Sequence, residues 1–210
     1  MPKQTFFNLP EKKRERIINA ALEEFSENLF SKASINKIVE KAKIPKGSFY
    51  QYFKNKKDLY KYILDQIFQL KIKYISDSLK NRNSSDFFES FEAMIEAGFK
   101  LTLDYPLYAK IGQNFMLEDR KFVSEITEEY SSQGENFVFS LLKKAQDNGE
   151  IYEHIDLKMV SFLISKISIF ILDYIKQNNE SMDYENIKKI LNDFMFIIKN
   201  GIRRGKNDKD

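Results

Sequence analysis

Cysteine is absent from this 210-residue chain. That excludes disulfides and thiolate metal sites, and it suits a reducing compartment, the cytoplasm. Tryptophan is absent too, and histidine occurs once, as His154 beside Glu153 and Asp156. A lone imidazole in a loop reads as a surface residue and supports neither a catalytic nor a metal site. Seven glycines and four prolines are few, so long irregular segments are not expected. No glycine-rich loop follows a strand-like segment, which removes the phosphate-cradling fingerprints. The richest apolar stretch, 157–175, is interrupted by Lys158, Ser161, Ser165, Lys166, Ser168 and Asp173. It reads as a buried helix and not as a membrane span. The first eight residues lack the apolar centre of a secretion signal. An all-α enzyme fails for want of any acid–base pair, nucleophile or metal cluster, and no cofactor is expected.

What the chain does have is aromatic side chains, 19 Phe and 11 Tyr, and apolar residues at helical spacing almost throughout. The periodicity predicts helices over 10–28, 56–78, 86–104, 106–116, 122–148, 156–176 and 183–201, besides two short ones described below. Residues 1–9 read as a flexible arm, 81–85 as a loop and 201–210 as a frayed charged tail. With no strand-like alternation, the fold class is all-α. Charge is uneven. Residues 1–62 hold 14 Lys/Arg against 7 Asp/Glu, while the remainder is net acidic. A basic N-terminal part on an acidic body is the footprint of phosphate contact.

The most specific segment is 34–59. Ser34 suits an N-cap, and Ile38, Val39 and Ala42 are the apolar positions of a short helix over 37–42. Lys43 and Ile44 make a turn. Pro45 suits the start of the next helix, 46–53. On that helix Phe49 and Phe53 face inward, which leaves Lys46, Ser48, Tyr50, Gln51 and Lys54 outside. Gly47 lets backbone approach a phosphate closely. Asn55 with Asp58 then caps a long helix. The pattern is a helix-turn-helix whose second helix can reach DNA.

Ser34, Ile38, Ala42-Lys43-Ile44-Pro45, Gly47, Tyr50-Gln51-Tyr52-Phe53, Lys56 and Leu59 together resemble the TetR family of transcriptional regulators. Lys43 stands where the family has a turn glycine, so a positive φ there carries strain. Pro45 stands where the family has serine. The resemblance implies about nine helices, with a three-helix DNA-binding domain at 1–55 and a helical ligand-binding and dimerisation domain at 56–210. It implies a ligand-responsive regulator, a repressor, that binds a palindromic duplex operator as a homodimer through the helices at 156–176 and 183–201. It also implies phosphate contacts from Ser34, Tyr50, Tyr52 and Lys56. The residues themselves offer Lys46, Ser48 and Gln51 as base readers, with Gly47 and Lys54 beside them. A small apolar or aromatic effector is expected among Phe99, Tyr108, Phe115, Phe137 and Phe162, each of which also fits ordinary core. The competing reading is a constitutive or architectural DNA-binding protein with no effector.

Overall fold

The computed structural model describes residues 1–82, 86–181 and 183–202. Among them are ten helices: α1 (Gln4–Phe7), α2 (Glu11–Glu27), α3 (Ile35–Lys41), α4 (Lys46–Tyr52), α5 (Lys56–Arg82), α6 (Phe87–Asp104), α7 (Pro106–Met116), α8 (Arg120–Asp147), α9 (Leu157–Gln177) and α10 (Tyr184–Ile202). Nine correspond to helices expected from the sequence, seven from periodicity and two, α3 and α4, from the helix-turn-helix segment. Residues 81 and 82 of the expected loop are the last of α5, and 83–85 lie outside the described residues, as does the tail from 203. The chain packs as two compact units, one of residues 1–73 with 100–126, the other of 74–99 with 127 onward.

The first unit is built around α2. Its face carries Ile17, Ala21 and Phe25, which share one buried cluster with Ile38 of α3, Phe49 of α4 and its C-cap Phe53, Leu59 and Ile63 of α5, and Ile111 and Phe115 of α7. The amide of Asn114 on α7 donates to the carbonyls of Phe25 (3.0 Å) and Ser26 (2.9 Å), which closes the C-terminal end of α2. The Arg16 Nε donates to the Ala42 carbonyl at 3.2 Å and ties α2 to the turn between α3 and α4.

That turn is a left-handed helix stop. Lys43 has φ 53°, and the Ile44 amide reaches back to the Val39 carbonyl at 3.0 Å. A glycine would adopt this backbone freely; here a lysine does, as the departure from the family pattern predicts. The same stop ends α8, where Gly149 (φ 77°) fills the position and the Glu150 amide bonds the Ala145 carbonyl at 2.9 Å. Pro45 is the residue immediately before α4, which starts at Lys46 as expected, with backbone φ −61° and ψ 143°. Asn55 Oδ1 accepts from the Asp58 amide at 2.9 Å, and Asp58 Oδ2 accepts from the Lys54 amide at 3.1 Å, so α5 starts on the expected box.

The N-terminal residues correct the sequence reading. They are not a flexible arm: Gln4–Phe7 is a helical turn, and Phe6 is only 1% exposed. The Phe6 ring lies 4.9 Å from that of Phe53 and 5.7 Å from that of Tyr62, centroid to centroid. One turn of helix has no amphipathic period to read, so its burial depends on an aromatic pocket supplied from more than forty residues away.

The second unit has its own core of Phe87, Phe88 and Phe91 from α6, Val138 and Leu142 from α8, Val160 and Ile164 from α9, and Met195 and Ile202 from α10. Asp86 Oδ1 caps α6 by accepting from the Phe88 amide at 2.7 Å, and Glu150 Oε2 accepts from the Phe87 amide at 3.0 Å.

Candidate nucleic-acid interface

Burial sorts the faces of α4. Phe49 and Phe53 are sealed in the core, as their four-residue spacing predicts, while Lys46, Gly47, Tyr50, Gln51 and Lys54 are exposed and Ser48 is half-buried. A side chain at Gly47 would meet nothing within 4 Å, so the backbone there is open to an approaching group. Lys37, Lys43, Lys46 and Lys54 are all exposed along α3, the turn and α4. A shallow cleft of about 230 Å³ lies at the start of α3 and is lined by Ser34, Ile35, Asn36, Lys46, Tyr50 and Lys56, with Ala33. It unites three of the four residues to which the resemblance gives phosphate contacts. Ser34 makes no side-chain capping bond. Its amide donates instead to Glu24 Oε1 at 2.8 Å. Asn36, exposed at the second position of α3, joins this cleft without having been singled out from the sequence. Its only signal is its place two residues after the N-cap.

Tyr52 and Lys56 are more deeply engaged. The Tyr52 ring is buried, 6.4 Å from the Phe6 ring, with Lys13 Nζ 5.7 Å from its centroid. Lys56 Nζ donates to the carbonyls of Phe30 and Ala33 and sits 4.6 Å over the Phe30 ring. Burial lowers the Lys56 pKa from its ordinary value, partly offset by Glu118 and Glu24.

The five aromatic candidates for an effector divide between the units. Tyr108 (half-buried) and Phe115 (buried with Tyr60 and Phe122) belong to the first. Phe99 (half-buried), Phe137 and Phe162 (both exposed) belong to the second. The second unit also carries a run of exposed apolar side chains: Met159, Phe162, Leu163, Phe170 and Tyr174 on α9, and Phe196 and Ile197 on α10. Phe194 and Ile198 of α10 pack instead against that unit's own core. No described helix is long and apolar enough to cross a membrane, and no described group of three or more His, Asp or Glu could hold a metal ion.

Residues 17–63 match the family model described as bacterial regulatory proteins, tetR family. Among curated proteins, the chain is 36% identical over 104 residues to the uncharacterized HTH-type transcriptional regulator YvdT of Bacillus subtilis, a stretch covering 49% of each chain. It is 28% identical over 157 residues to the fatty acid metabolism regulator protein of the same organism, covering 71% of this chain and 76% of that one. The chain thus spans about half the length of the first relative and three quarters of the second. Among solved structures, a TetR family transcriptional regulator from Chloroflexus aurantiacus superposes with a TM-score of 0.62 at 25% identity, over 98% of this chain and 100% of that one. The regulator FadR from Bacillus subtilis, solved in complex with stearoyl-CoA, shares the fold, with a TM-score of 0.65 at 21% identity over 90% and 98%.

Proposed function

We propose that this chain, a transcription regulator whose head is a tetR-family domain, reads a roughly palindromic duplex operator through α4 as a homodimer and releases it when a small-molecule effector binds. The observation that carries the reading is the outward row Lys46, Ser48, Tyr50 and Gln51 on a helix whose opposite face is core. A helix of two turns presents few side chains to base edges. Lysine suits guanine and glutamine pairs bidentately with adenine, so Lys46 and Gln51 read bases with Ser48 between them. Ser34 and Tyr50 hold phosphate at the cleft, Lys54 adds charge, and Tyr52 and Lys56 support that surface from beneath. By function the chain divides into a reading head at 1–55 and an effector and dimerisation body at 56–210.

The dimer seam is the exposed stripe of α9 with Phe196 and Ile197 of α10. Apolar side chains so grouped on one unit are rarely left to water in a soluble protein, and a second copy covers them isologously. Two heads related by a two-fold axis then require an inverted repeat in the operator. For the effector, we take a long-chain acyl-CoA as the first candidate. The support is the likeness to a fatty acid metabolism regulator and an aromatic-rich body, in which Phe99 is half-buried and Phe137 and Phe162 are exposed. Such a ligand acts only through its difference in affinity for the DNA-competent and released states.

The test is an operator selected from random duplexes, then challenged with Gln51→Ala. The variant is expected to lose about 1–3 kcal/mol at one base position and to reorder the operator variants. An unchanged ranking removes Gln51 as a reader. Stearoyl-CoA is then titrated onto the bound operator. Release supports the regulated reading; no release by acyl-CoA, fatty acids or cell extract leaves a constitutive DNA-binding protein.

A further inference from the structure

The last four carbonyls of a helix have no partner inside it. In α4 those are Phe49, Tyr50, Gln51 and Tyr52. The first is taken by its own C-cap, since the Phe53 amide donates to Phe49 O at 2.8 Å. The other three are taken by the N-terminal arm. Lys3 Nζ donates to Tyr50 O at 2.8 Å, the Thr5 hydroxyl donates to Gln51 O, and the Lys3 amide donates to Tyr52 O at 2.8 Å. The set is complete. The Lys3 ammonium also places a positive charge at the negative end of the helix dipole.

We infer that Lys3 and Thr5 are positioning residues for the reading helix: the arm clamps the C-terminal turn of α4 and thereby sets the angle at which Tyr50 and Gln51 face DNA. The inference rests on the reading of DNA through α4 proposed above. Three observations support it. A seven-residue helix does not hold its own geometry in water, so its direction is imposed by what grips its ends. The arm cannot drift, because Phe6 is locked between Phe53 and Tyr62 and Arg14 Nη1 donates to the Phe7 carbonyl at 3.0 Å. Two of the three clamped carbonyls belong to Tyr50 and Gln51, whose side chains are exposed, while the third belongs to Tyr52, whose ring anchors the turn in the core; a small rotation of that turn therefore moves the exposed pair directly. Lys3 therefore serves DNA binding without spending its charge on a phosphate.

The experiment compares full-length wild type with Thr5→Ala, Thr5→Ser and Lys3→Met. Two readouts are taken: hydrogen exchange of the amides at 50–53 against those at 35–41, and the affinity ratio between the selected operator and a duplex altered at the base that Gln51 reads. Thr5→Ala is expected to speed exchange at 50–53 alone and to lower the affinity ratio about fivefold, with Thr5→Ser restoring both. Lys3→Met is expected to do the same without changing the slope of log affinity against log salt. Unchanged exchange at 50–53 overturns the clamp. Faster exchange with an unchanged affinity ratio overturns its role in reading. For Lys3, uniform weakening on all duplexes with a slope reduced by about 0.9 marks a phosphate contact and overturns its positioning role. A wild-type protein that shows no preference for any duplex refutes the DNA reading itself, a failure visible before any variant is made.

Discussion

Lys56 Nζ lies 2.7 Å from the carbonyl oxygen of Ala33 and ties the start of α5 to the turn that leads into α3. The same ammonium bonds the Phe30 carbonyl and faces the Phe30 ring, so one cation closes the backbone groups of a loop that has no helix or sheet to satisfy them. Replacing Lys56 with Met leaves those carbonyls without a donor. Urea unfolding is expected to show a loss of about 1–3 kcal/mol. Operator affinity is expected to fall alike on all sequences, because the start of α3 loosens. The salt slope decides between two duties: a Lys56 that also meets phosphate flattens it by about 0.9 when removed, while a purely structural one leaves it unchanged.

Tyr60 is completely buried, and its hydroxyl has no hydrogen-bond partner. Burial, and secondarily the nearby Glu118, raises its pKa well above the ordinary tyrosine value. In the unfolded chain the phenol ionises near about pH 10. Between that pH and the raised folded value, the unfolded state holds fewer protons than the folded one, so stability falls as pH rises through the window. Tyr60→Phe is expected to remove this alkaline loss and to add about 1 kcal/mol at pH 7, because no bond is broken and an unsatisfied group leaves the core. Unfolding midpoints from pH 7 to 11 check both halves.

Lys43 holds φ 53° without a glycine. Lys43→Gly is expected to raise stability by about 0.5–1 kcal/mol, because the left-handed backbone no longer carries a side-chain clash. It also removes one exposed positive charge near α4, so DNA affinity at low salt is expected to fall slightly while the melting temperature rises. Calorimetry and binding at two ionic strengths separate these effects.

Phe162 and Ile197 are 49% and 66% exposed. In a lone subunit, a glutamate at either position changes little, since surface substitutions stay within about 0.5 kcal/mol. Across a self-complementary seam, the same change buries unpaired carboxylates in both copies. The double variant Phe162→Glu, Ile197→Glu is therefore expected to run as a monomer in sedimentation at micromolar concentration and to lose operator binding while staying helical. A wild type that is already monomeric and binds the operator would remove the dimer from the proposal.

Amphipathic period was enough to locate the seven longer helices among the described residues, because each must turn one stripe toward a core and local spacing records that demand. The helix-turn-helix was legible for the same reason, together with Pro45 and the Asn55–Asp58 box, which act on backbone only a few residues away. The positive φ of Lys43 was expected only through the family resemblance, which puts a turn glycine at that position. What the sequence could not determine is everything joined across long separations. Phe6 reads as part of a loose end until Phe53 and Tyr62 are brought to it. Lys56 reads as a surface cation until the loop at 30–33 folds over its amine. On α9, nearly apolar all round, only packing decided that Val160 and Ile164 turn inward and that Met159, Phe162 and Phe170 stay exposed. Local spacing encodes that a residue is apolar or charged and how it repeats; which partner satisfies it is set by the closing of the chain in three dimensions.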